Sequence, residues 1–140
     1  MFSPTHNITA HGVGGTFKLL QNLPELNYGD WLLGLNSITF YDLAQPLDLA
    51  FELTCSLVYK KFNCFSGNVK NWESLAIIKL QTDKGRKTWN WYLNSHKYIF
   101  KVNNVPTEII FKFDVISTNV PLPDFPADLA GVVHFSLYKR

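Results

Sequence analysis

The 140-residue chain predicts an all-β fold, an eight-stranded antiparallel jelly-roll sandwich. Three observations carry this expectation. Eight segments rich in β-branched, aromatic and leucine residues follow one another, each bounded by Gly, Pro, Asn or Asp. The longest alternation places Leu49, Phe51, Leu53, Cys55, Leu57 and Tyr59 on one face, with Ala50, Glu52, Thr54, Ser56, Val58 and Lys60 on the other; a period of two is that of a half-buried strand. No segment shows a convincing helical period. Eight short strands with long and short loops suit two four-stranded sheets packed face to face. An immunoglobulin-like sandwich is the rival, and the short spacing of Cys55 and Cys64 lends it nothing.

The elements follow in order. Residues 1–15 are polar, contain Pro4 and end in Gly12, Gly14 and Gly15, and read as a mobile arm ahead of a single domain over 16–140. Thr16–Leu20 is a short strand with Phe17 and Leu19 on one face, closed by Pro24. Tyr28–Phe40 is the long early strand on which the rest is laid. Trp31, Leu33 and Leu35 share a face, with Leu32, Ile38 and Phe40 opposite, and Gly34 suggests a bulge or a close backbone approach. A corner around Pro46 leads into the alternating strand. Residues 60–71 form a polar loop. Leu75–Leu80, the turn Asp83-Lys84-Gly85-Arg86 and Lys87–Leu93 read as a hairpin with Trp89 and Trp91 on the same face. Lys97–Val102 follows, then Ile109, Phe111, Phe113 and Val115 of the next strand, with Glu108, Lys112 and Asp114 outside. Pro121, Pro123 and Pro126 mark residues 120–130 as a long loop. Val133, Phe135 and Leu137 face inward on the last strand, with His134 outward.

Composition bounds the function. Hydrophobic residues make up 46% and aromatics 15%, while charges are only 17%, against a usual share of about 25%. Few charges and many aromatics leave apolar surface to cover, which favours self-association. No apolar run approaches the roughly 18 residues of a membrane span. Met1–His6 has neither a basic start nor an apolar stretch, so no secretory leader is expected, and the acceptor triplet Asn7-Ile8-Thr9 is expected to be fortuitous. Two cysteines make no disulfide framework, and a reducing compartment is the simpler reading.

Chemistry-bearing motifs are sparse. His6, His11, His96 and His134 fall into no metal-ligand spacing. Ser95-His96 and Cys64 lie in no nucleophile elbow. Gly12–Gly15 lacks the lysine and helix of a phosphate loop. No catalytic residue, cofactor or metal is expected, and the chain is not read as an enzyme. The charge is uneven. Lys60–Lys101 holds nine basic residues and two acidic ones, whereas the remainder is net negative, for +2 in all. Lys84, Arg86 and Lys87 beside Trp89, Trp91 and Tyr92 form a candidate single-stranded nucleic-acid surface, with the aromatics as stacking groups. A solvated basic edge that deters strand pairing is the favoured reading of the same residues.

One stretch resembles a known family. Thr16-Phe17-Lys18-Leu19-Leu20, then Leu23-Pro24-Glu25-Leu26, then Tyr28-Gly29-Asp30-Trp31-Leu32-Leu33-Gly34-Leu35 with Phe40 beyond, resembles the penton-type minor capsid proteins of Polinton (Maverick) elements and adintoviruses. The Pro- or Asn-rich segment that often follows there is replaced by Phe40–Pro46. The resemblance implies a single jelly roll, a pentamer at a virion vertex, other capsid proteins as partners, and assembly inside the cell. A jelly-roll binding module for a receptor, glycan or protein is the alternative. In eight strands taken in order, the loops 60–71 and 117–130 are expected at the same end. Lys60, Lys61 and Lys70 on the first and Leu122, Asp124, Phe125 and Asp128 on the second would then meet between neighbours, with Phe125 as the anchor.

Overall fold

The computed structural model describes residues 6–20, 29–43, 46–59, 72–83, 85–92, 97–102, 108–118 and 125–139. Nine strands are described: β1 (His6–Val13), β2 (Thr16–Leu20), β3 (Gly29–Tyr41), β4 (Asp48–Tyr59), β5 (Trp72–Gln81), β6 (Trp89–Tyr92), β7 (Lys97–Val102), β8 (Glu108–Thr118) and β9 (Ala130–Lys139). All pairings are antiparallel, and no described residue is helical.

The pairings define two layers. β1, β9 and β3 lie side by side, and β6 and β7 share the far edge of β3. β6 runs beside Ser37–Phe40 and β7 beside Gly29–Gly34. β2, β8, β4 and β5 form the second layer. The β1–β2 turn joins the layers along one side. Nine strands thus fill eight sheet positions, and the chain visits them in the order of a jelly roll.

Aromatic rings tie the layers together. Phe40 on β3 meets Phe17 of β2, Phe51 of β4 and Phe113 of β8 at centroid distances of 6.2, 6.1 and 5.7 Å. Phe111 of β8 meets Phe135 of β9 at 5.0 Å. All six rings are buried. Each such pair adds about 0.5–1.5 kcal/mol beyond its area term, so this cluster is the energetic centre. Leu53, Phe111, Phe113 and Phe135 sit in that core as expected, with Leu57 packed at its margin.

Three expectations are corrected. Residues 6–13 are no mobile arm: β1 pairs with β9 from His6↔Leu137 to Val13↔Ala130. Ile8 and Ala10 face the core there, and the strand satisfies backbone groups that the edge of β9 would otherwise leave open. Gly14, at φ +82°, makes the tight turn into β2. Second, β5 and β6 form no hairpin. β5 pairs with β4 and β6 with β3, so residues 82–88 cross from one layer to the other. Third, Ile38 and Phe40 share the inward face of Trp31, Leu33 and Leu35. A bulge between Leu35 and Ser37 inserts Asn36 and reverses the phase of the rest of the strand.

Candidate interface surfaces

One end of the sandwich is knitted by short links. Gly14 N–H donates to Leu129 O at 2.8 Å, and Phe113 N–H donates to Gly15 O at 2.8 Å. Leu43 N–H donates to Lys87 O at 3.1 Å, and Thr82 N–H to Leu47 O at 2.9 Å. The Thr82 hydroxyl accepts in return from Leu47 N–H at 2.8 Å. Phe125 belongs to this end, but its ring is driven inward. It is 6% exposed and lies 5.4 Å from Phe113, 5.5 Å from Phe51 and 5.6 Å from Phe40. It completes the subunit's own core and is not the anchor between neighbours. Asp128 is exposed beside it. Leu122, Asp124, Lys60, Lys61 and Lys70 lie outside the described residues.

The shared-end expectation also fails. Leu49 pairs with Thr118 and Cys55 with Phe111, so the end of β8 lies beside the start of β4. The strand ends that bear loops 60–71 and 119–124 therefore point to opposite ends of the molecule. Recognising β1 as a strand moves β2 to β6 along by one position, whereas β6 and β7 share a position on β3 and leave β8 and β9 where they were expected; the end of β4 therefore changes ends while the end of β8 does not.

At the basic segment, Arg86 and Lys87 are exposed, and Arg86 Nε donates to Thr88 O at 3.1 Å. Lys84 lies outside the described residues. Trp89 and Trp91 face inward, half-buried against the core, with Trp89 stacked on Phe40 at 5.7 Å. They are structural rings, not stacking groups for bases. Tyr92, 70% exposed, is the aromatic turned outward on β6.

The outer faces of the two layers differ in chemistry. On β2–β8–β4–β5 the outward positions carry Lys18, Glu108, Lys112, Asp114, Glu52 and Lys79. Lys18 Nζ lies 3.7 Å from Glu108 Oε2 across the β2–β8 pair. On β1–β9–β3–β6 the outward positions beyond exposed Asp30 at the start of β3 form cross-strand rows of uncharged side chains, mostly polar. Thr9, His134, Ser37 and Tyr92 stand in one row, and His11, Val132, Thr39 and Asn90 in the next. Thr39 Oγ1 donates to Asn90 Oδ1 at 2.7 Å. Above them, Ser136 Oγ donates to Asn7 Oδ1 at 2.6 Å and accepts from Asn36 Nδ2 at 2.9 Å. Ser136 is 2% exposed, sealed by this chain. No Asp, Glu, Lys or Arg stands at these positions. In sequence this surface is hidden, because the polar stretch with Asn7, Thr9 and His11 ends in glycines and reads as an arm. The alternation of these three residues with Ile8 and Ala10 was the signal.

Among the described residues, no group of three or more His, Cys, Asp or Glu side chains is placed to hold a metal ion. No helix of the described residues is long and apolar enough to cross a membrane. Cys55 is fully buried, and burial pushes its thiol up to about 12, against the opposing pull of a hydrogen bond with the Leu57 backbone. Fold and surfaces define an antiparallel jelly-roll sandwich with one outer face that carries both signs of charge and another whose rows from Asn7–Ser136 to His11–Asn90 carry none. The chain matches no protein-family model, no curated protein and no solved structure.

Proposed function

We propose that the chain is a structural protein of the penton-type minor capsid class, from a virus or a virus-derived element, that assembles into rings of five. The observation that carries this reading is the jelly-roll strand order, in which the capsid-like stretch of sequence supplies β2 and β3. The reading places the protein in the virion beside other capsid proteins.

A ring needs two unlike patches that meet head to tail. The molecule has two unlike sides. One is closed by the β1–β2 turn and presents Val13, 60% exposed. The other ends in β5, which presents Ile77, 66% exposed and opposite Glu52. An exposed aliphatic group within a polar rim has the make-up of an interface anchor, so Ile77 takes the role that Phe125 cannot fill. The test is Ile77→Asp, followed by light scattering and circular dichroism. The expected result is a folded chain that no longer forms rings. Rings that persist unchanged in Ile77→Asp contradict this anchor, and a wild-type chain that forms no ring contradicts the reading itself.

A further inference from the structure

We propose that the uncharged outer face of β1–β9–β3–β6 is a two-fold contact with a second copy of this chain, centred on Ser136. Depletion of charge, with aromatic side chains present, is what sets the core of a protein interface apart from ordinary surface. The opposite outer face of the same molecule carries both signs of charge, so the depletion is local and not simply a product of composition.

The partner follows from the hydrogen-bond chain. Ser136 occupies the carbonyl oxygen of Asn7 and one amide hydrogen of Asn36. Asn7 therefore keeps its amide group for a partner, and Asn36 keeps its carbonyl oxygen. One is a donor on β1 and the other an acceptor on β3. Their strands flank β9 and so run about 10 Å apart, with both side chains converging on Ser136 Oγ. A two-fold axis at Ser136 lays Asn7 of one copy on Asn36 of the other, and the reverse, which is the reciprocity that an isologous contact requires. Thr9, His134 and Ser37 in the next row each both donate and accept, so the face is complementary to itself. Without formal charge, it meets its own copy with no like-charge penalty. The contact is separate from the ring and stands if the capsid reading fails.

The test uses Asn7→Asp. Aspartate keeps the oxygen that accepts from Ser136, so the fold is retained, while the amide donor is replaced by a negative charge facing the Asn36 carbonyl. Sedimentation equilibrium of the wild-type chain is expected to show a two-fold association. Asn7→Asp is expected to raise its dissociation constant at least about tenfold, because symmetry repeats each lost pair twice. Asn7→Asp combined with Asn36→Lys is expected to restore association in a salt-sensitive form. Thr16→Asp, the same charge on the other outer face, is expected to leave association unchanged. A wild type without two-fold association at millimolar concentration overturns the proposal, even if the face binds another molecule. So does an Asn7→Asp chain that associates like wild type, or a double variant that stays dissociated. Loss of rings in Ile77→Asp with the two-fold contact intact would separate this contact from the ring contact.

Discussion

Phe40 is the residue on which the interior turns, since its ring meets partners from both layers and from the 125–129 segment. Phe125 closes that cluster. Phe125→Ala is therefore expected to cost about 3–5 kcal/mol of folding stability, measured by urea unfolding; an unchanged midpoint would place the ring outside the core. Gly131 is fixed by a close approach. A Cβ there would lie 2.5 Å from Thr39 O and 2.7 Å from Phe40 Cδ1, so Gly131→Ala must push backbone apart in the centre of a sheet. Cys55 gives a pH signature. An unfolded thiol ionises near pH 8.5 or 9, whereas the buried one holds its proton up to about 12. Above pH 9 the unfolded chain thus binds fewer protons than the folded one, and stability falls with rising pH at up to about 1.4 kcal/mol per unit. Cys55→Val is expected to lose this part of the alkaline slope. Identical slopes for both chains between about pH 9 and about pH 11 would show that the thiol is not protected.

At the scale of elements, strong alternation was legible and weak alternation was not. β8 and β9 put their apolar residues where a period of two demands, because each carries three or more large inward side chains; β4 does so from Leu49 to Cys55, after which the phase shifts and Val58, expected outward, joins the core in place of Leu57. β1 carries only Ile8 and Ala10 inward at its centre, and it exists because β9 offers a free edge. That is a tertiary cause, invisible to local pattern. The bulge at Asn36 was equally hidden: Gly34 pointed to an irregularity, but only pairing with β9 shows where the phase reverses. Both elements are testable. Removing residues 1–13 is expected to lower the melting midpoint by at least about 10 °C, where a mobile arm would leave it unchanged. Deleting Asn36 removes the extra residue, so Leu35, Ile38 and Phe40 alternate inward without a bulge. The expected result is a folded chain that keeps its near-ultraviolet dichroism; loss of the native spectrum, as a one-residue slip of an unbulged strand would cause, would contradict the bulge.

For the whole molecule, the fold class followed from the number and spacing of strand signals, because eight sheet positions in so short a chain leave few architectures. The ends of the sandwich did not follow, because β1 was an unrecognised strand and β6 and β7 share one position, so the earlier strands move by one place and the last ones do not. The candidate contacts failed for the same reason. The strand ends that bear the loops expected to meet point to opposite ends, Phe125 fills the interior, and Trp89 and Trp91, read in sequence as stacking groups, pack half-buried against the core. Among the described residues, Ile77 is exposed on one side and Val13 on the other, and one outer face carries rows without charge. Each of these is a proposed contact with further copies of the chain. The most direct measurement is the solution mass of the wild-type protein by light scattering on a sizing column, across a wide concentration range. Self-assembly predicts five copies of the 16.0 kDa chain, or ten where rings pair through the uncharged face. A mass of one chain at every concentration would contradict it.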